Sequence, residues 1–148
     1  MYNKSYEGER ITTNDIYFRE KVHNILIVDD DKNILDALAL TLKRAKEFKS
    51  NISIAENAKN ALKELKHKSY DVVLSDFRMP KMDGIEFLKI VNKKYPWITR
   101  ILITAYADIK LAEIAIKKAD IDHFIEKPWH EDELRFLIHK SLKKDRKR

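Results

Sequence analysis

The chain has 148 residues, enough for one domain or for one domain with a tail. It contains no cysteine and only two glycines, Gly8 and Gly84, which excludes disulfides, thiolate metal sites, a thiol nucleophile and glycine-rich phosphate loops. At 44% hydrophobic and 36% charged residues it reads as a folded globular chain, and its net charge of +6 is concentrated at one end.

Residues 1–22 hold four basic and four acidic side chains and stand apart from the pattern that follows. They carry Tyr2, Tyr6, Ile11, Ile16, Tyr17, Phe18 and Val22, and Asn14 can cap a short helix running to about Lys21. They are therefore expected to form an N-terminal extension. The domain proper is expected over 23–142, with a basic tail over 143–148. Five apolar runs within it read as strands: His23–Val28, Asn51–Ala55, Asp71–Ser75, Arg100–Thr104 and Asp122–Glu126. The first, third and fourth are continuously apolar, as strands covered on both faces are.

Helical stripes separate the strands. They are Ile34, Leu35, Leu38, Leu42 and Ala45; then Ala58, Ala61, Leu62 and Leu65; then Ile85, Phe87, Leu88 and Val91. Ile109, Ala112, Ile116 and Ala119 form the fourth, and Leu134, Leu137, Ile138 and Leu142 the fifth. Regular alternation of strand and helix predicts an α/β fold: a doubly wound, five-stranded parallel sheet in the flavodoxin-like order 2-1-3-4-5, with helices on both faces.

Residues 139–148 hold six basic groups and one acid. Lysine and arginine suit the last turn of a helix, so a solvated helix end is the favoured reading. The run has neither an aromatic platform nor a helix-turn-helix pattern, so it can assist nucleic-acid binding but not specify a sequence; nucleic acid is not an expected partner of this chain alone. No apolar run reaches the roughly 18 residues of a membrane span, and Met1–Arg10 lacks the apolar stretch of a secretory signal. No membrane association is expected, and a cytoplasmic location is.

In such a sheet, ligands bind beyond the carboxyl ends of the strands, near the point where strand order reverses. The residues there are Asp29, Asp30 and Asp31 after strand 1, Ser75 and Asp76 after strand 3, Thr104 at strand 4, and Glu126, Lys127 and Pro128 at strand 5. Carboxylates gathered at one spot repel one another unless a cation or protons intervene, and hard oxygen donors suit Mg²⁺. Lys127 adds a fixed positive charge and Thr104 a hydroxyl. The set suits a phosphoryl group, with an aspartate able to take it covalently. Asp31 and Asp83 read as helix starts, and the five histidines lack metal-site spacing.

These residues resemble the receiver domains of two-component response regulators. The matching pieces are Ile25–Asp31, Val73–Gly84, Ile103–Tyr106 and Phe124–Pro128, within about residues 23–142. The resemblance implies that Asp76 is the phosphoacceptor and that Asp29, Asp30, Asp76 and the backbone carbonyl of Arg78 hold Mg²⁺ (or Mn²⁺). Of the acidic pair, Asp30 is favoured as the direct ligand. It implies that Thr104 and Lys127 contact the phosphoryl oxygens, that Thr104 and Phe124 form the switch, and that Arg78 and Tyr106 flank the site. Many family members carry tyrosine where this chain has Phe124. It implies a sensor histidine kinase or histidine phosphotransfer protein as donor and an output partner that the sequence does not identify. It also implies a domain that is not an enzyme beyond its own phosphorylation and dephosphorylation.

Many such domains pair through the face of helix 4, strand 5 and helix 5, where Lys110, Glu113, Lys117, Lys118, Asp120 and Asp122 offer mixed charge; a homodimer there is an expectation. The competing reading is an aspartyl phosphatase of the haloacid dehalogenase type with Asp29 as nucleophile. That reading lacks room for a cap and leaves Asp76 unused. A receiver cut from a longer DNA-binding or enzymatic regulator is the other alternative.

Overall fold

The computed structural model describes residues 12, 13, 16, 21–118 and 120–143, with Tyr106 described by its backbone alone. The expected helix from Asn14 to Lys21 and the basic tail beyond Lys143 lie largely outside those residues. Ten principal elements alternate along the chain: β1 (Val22–Val28), α1 (Lys32–Lys43), β2 (Lys49–Ala55), α2 (Ala58–His67), β3 (Val72–Asp76), α3 (Gly84–Lys94), β4 (Thr99–Ala105), α4 (Ile109–Lys118), β5 (His123–Lys127) and α5 (Glu131–Leu142). A 3₁₀ turn, Tyr106–Asp108, leads from β4 into α4. All four strand pairings are parallel, and the order is β2-β1-β3-β4-β5, as expected.

Alternation along the central strands divides the core in two. Leu26 and Val28 of β1, Val73 of β3 and Leu102 of β4 face α2, α3 and α4, whose Ala61, Leu65, Phe87, Leu88, Val91 and Ala112 complete that layer. Ile25, Ile27, Val72, Leu74, Ile101 and Ile103 face the other way and meet Leu35, Leu38 and Leu42 of α1 and Leu134 and Ile138 of α5. Each fully buried aliphatic side chain contributes roughly 1.5–3 kcal/mol relative to exposure, so the continuously apolar strands are what two helical layers require.

The elements begin where capping chemistry starts them. Asp31 caps α1 by accepting from Asn33 N, Asn57 caps α2 through Asn60 N, and Asp83 caps α3 through Glu86 N. Asp31 and Asp83 therefore hold the helix-start places assigned from sequence. The edge strand β2 starts two residues before its expected limit, because Lys49 and Ser50 pair with Val22 and His23 of β1. Its half-polar beginning gives no apolar signal. The Lys127–Pro128 peptide is cis.

Candidate functional site

β1 and β3 are adjacent at the reversal of strand order, with Val28 registered against Ser75. The residues that follow, Asp29 and Asp76, are thus presented side by side beyond the carboxyl edge. On the far side, Asp76 registers with Ile103, and Ala105 of β4 with Lys127 of β5. Lys127 then reaches back across the sheet end. Its Nζ donates to Asp76 Oδ1 at 2.9 Å and to Asp29 Oδ2 at 3.1 Å, joining residues 51 and 98 positions apart. Asp29 Oδ1 accepts from the Asp31 backbone N–H at 2.8 Å. The α1 start thereby fixes the buried Asp29 carboxylate from its other side.

Carboxylate oxygens of Asp29, Asp30 and Asp76 lie within 4.8 Å of one another. Asp29 and Asp76 are buried and Asp30 is exposed. Burial pushes the Asp76 carboxyl above its ordinary value, with the hydrogen bond from Lys127 pulling the other way. Burial also raises Asp29, against the opposing Asp31 N–H and the Lys127 ammonium. At Lys127 desolvation works against the charged form, but Asp76 and Asp29 together outweigh it, and its proton is held more tightly than usual. Three carboxylates facing one ammonium leave an excess of negative charge in a partly desolvated pocket. That imbalance, and donors that are all hard oxygens, fit a small divalent cation of the Mg²⁺ class.

The other expected residues fall in different places. Thr104 is at the end of β4 but fully buried, and its hydroxyl donates to the Ala105 carbonyl at 3.3 Å. Arg78 lies in the loop after β3. Its guanidinium stacks over Phe77 at 4.3 Å and donates to Asp108 at 3.0 and 3.3 Å, so the side chain is committed to the 3₁₀ turn after β4. Tyr106 lies in the same turn, with its side chain outside the described residues. Phe124 is half-buried in β5, packed against the α2–α3–α4 layer.

Two contributors carried no functional assignment in the sequence. Gly84 donates its N–H to the Phe77 carbonyl at 2.7 Å, and a Cβ placed on it would lie 1.9 Å from the Asp76 carbonyl oxygen. The lack of a side chain is what lets α3 start against the end of β3. The isolated Asp-Gly pair was the available signal, and it is equally the signal of any turn. The second contributor is Asp108, whose partnership with Arg78 spans 30 positions and leaves no local pattern.

A family model described as the response regulator receiver domain matches residues 25–139. Among curated proteins, the chain is 37% identical over 120 residues to the DNA-binding transcriptional regulator NtrC of Proteus hauseri, covering 80% of this chain and 24% of that protein. It is 34% identical over 119 residues to the transcriptional regulatory protein ZraR of Escherichia coli strain K12, covering 80% and 26%. The chain thus spans about a quarter of the length of these relatives. Among solved structures, it is similar to a CheY-like response regulator receiver domain protein from Methanospirillum hungatei JF-1. The TM-score is 0.73 at 30% identity, covering 82% of this chain and 94% of that one.

Proposed function

The chain belongs to the response regulator receiver domains, which are signalling domains, and from that premise we propose that Asp76 accepts a phosphoryl group and that the domain changes its partner binding as a result. The observation that carries this reading is the double hydrogen bond from Lys127 Nζ to Asp76 and Asp29, at the one place where Asp30 also comes within reach. The donor is a phosphohistidine on a sensor kinase or a phosphotransfer protein. A carboxylate oxygen of Asp76 forms the new O–P bond while the donor's P–N bond breaks, and the departing nitrogen keeps the bonding pair.

Asp29, Asp30, Asp76 and the Arg78 backbone carbonyl are the groups to hold Mg²⁺ or Mn²⁺, which when bound supplies positive charge to the phosphoryl oxygens. Lys127, already 2.9 Å from Asp76, exchanges part of its carboxylate contact for a phosphoryl oxygen. Thr104 turns its hydroxyl from Ala105 toward the new anion and vacates space behind it, which Phe124 takes up from its half-buried place in β5. Arg78 and Tyr106 flank the site. The extension over 1–22, the receiver over 23–142 and the tail over 143–148 are assigned as separate parts. The relatives are transcriptional regulators of about four times this span, so the output is assigned to a longer regulator or to a partner of the free domain.

Incubation with Mg²⁺ and a small acyl phosphate tests the reading by intact mass. The wild type is expected to gain one phosphoryl group and Asp76→Asn none. Steady turnover that survives Asp76→Asn and is lost in Asp29→Asn would instead establish the dehalogenase-type phosphatase.

A further inference from the structure

A groove of about 720 Å³ opens between α2 and the loop joining β3 to α3. Leu62 and Met82, both half-buried, lie in its wall, and Lys59, Lys63 and Lys66 of α2 line it with Lys81 of the loop. Among the described residues, none of these four ammonium groups has an ion-pair partner. Lysine stems cover apolar surface while their heads stay in water, so the groove offers apolar contact beneath a cationic margin. A ligand complementary to both must be anionic and apolar at once.

The spacing selects its shape. Lys59 and Lys63 stand one helical turn apart, a rise of about 6 Å, and Lys66 follows about 4.5 Å further on. Alternate side chains of an extended peptide fall about 6.6 Å apart on one side. A compact anion needs donors that converge on a point, whereas these are strung along a helix. Asp30 and Glu56, which also line the groove, repel an anion at their end and leave the lysine row as its seat.

We propose that this groove binds an acidic peptide segment in extended form, with alternate carboxylates on Lys59, Lys63 and Lys66 of α2 and the intervening apolar side chains turned to the facing wall at Met82. The groove adjoins the phosphoryl site through Asp30 but its ligand does not require phosphorylation.

The test uses the full chain and a fluorescently labelled peptide of alternating glutamate and leucine, followed by anisotropy and by backbone amide NMR. Saturable binding is expected, with the shifts centred on Leu62, Lys63 and Met82. The double substitution Lys59→Glu with Lys63→Glu is expected to weaken it by roughly tenfold or more, since like charges then face the ligand. Phosphorylation of Asp76 in that variant should match the wild type, which separates this proposal from the assignment of Asp76. The same peptide with glutamine for glutamate, or serine for leucine, should bind poorly. No saturable binding, or amide shifts mapping away from α2 in the wild type, overturns the proposal whatever the variant does. So does equal or tighter binding of inorganic pyrophosphate or of phosphatidylserine vesicles at these lysines, which would make the groove a small-anion or membrane site.

Discussion

Lys127 is the cation shared by two buried carboxylates that otherwise face each other without a counter-ion. Lys127→Ala leaves both without their counter-ion, and the expected cost is about 1–3 kcal/mol in metal-free buffer, kept below the fully buried case by the lysine's partial exposure. Urea unfolding at neutral pH with and without Mg²⁺ measures it, and Mg²⁺ should restore part of the loss. The lysine's raised value means its contribution is complete below 10.5 and disappears only as pH climbs through the folded value. The aspartates have the opposite consequence at neutral pH. Their folded values lie above the ordinary 3.8, so the folded state holds their protons longer than the unfolded chain does. Stability from that source is complete below 3.8 and is lost as pH rises through the folded values. Without divalent ions, Asp76→Asn is therefore expected to unfold at higher urea than the wild type at pH 7, and the two midpoints should converge as the buffer approaches pH 3.8. A wild type more stable than Asp76→Asn at pH 7 under chelation would show that the lysine contact outweighs the burial. The residue types needed for this chemistry were readable in the sequence because each ends an apolar run. The direction in which Thr104 and Arg78 point was not, since Ala105 and Asp108 compete for their hydrogen bonds and neither competition leaves a periodic trace.

At the scale of elements, α3 is seated on the end of β3 through a residue without a side chain. Gly84→Ala places a methyl group 1.9 Å from the Asp76 carbonyl oxygen, so either the helix start or the strand end must move. Overpacking of this kind costs about 1–3 kcal/mol. Because the displaced backbone is that of the phosphoacceptor, the rate of phosphorylation from a small acyl phosphate should fall as well. Asp83→Ala is the matched control. It removes the α3 cap bond to Glu86 N and costs about 1 kcal/mol, yet places no new atom against the Asp76 backbone and should leave that rate unchanged. Equal rates in all three proteins would mean that Gly84 serves only the turn. The helices and their order were legible because each buries one stripe at helical spacing. The limits of β2 were less so, because an edge strand can begin on Lys49 and Ser50 with only one neighbour to pair with.

On the whole molecule, the expected pairing face of α4, β5 and α5 differs in character from its sequence reading. Asp122, offered there as an interface charge, accepts from the Arg100 backbone N–H at 2.8 Å and lies 3.6 Å from that residue's guanidinium. It is engaged within the fold. Lys110, Glu113, Lys117, Lys118 and Asp120 are exposed, but so are Leu111 and Ile114 of α4 and Phe136 of α5, the last at 66%. Phe136 lines a groove of about 330 Å³ with Phe124, Ile116 and Leu137. Helical periodicity picked out Ala112, which is buried, and Ile116, which is half-buried, but not the buried Ala115. It could not tell that Leu111 and Ile114, which share α4 with four charged residues, are exposed, because that depends on which other elements pack against the helix. Inward rotation of Phe124 would change the shape of the groove in which Phe136 sits. Homodimerisation is accordingly expected to depend on apolar contact at Phe136 and on the state of Asp76. Sedimentation with Mg²⁺ and beryllofluoride should show the wild type doubling in mass and Phe136→Glu remaining monomeric, while a separate incubation of that variant with Mg²⁺ and a small acyl phosphate still adds one phosphoryl group by intact mass. A wild type that stays monomeric would rule out pairing through this face. Dimerisation preserved in Phe136→Glu would move the contact to the charged residues of α4.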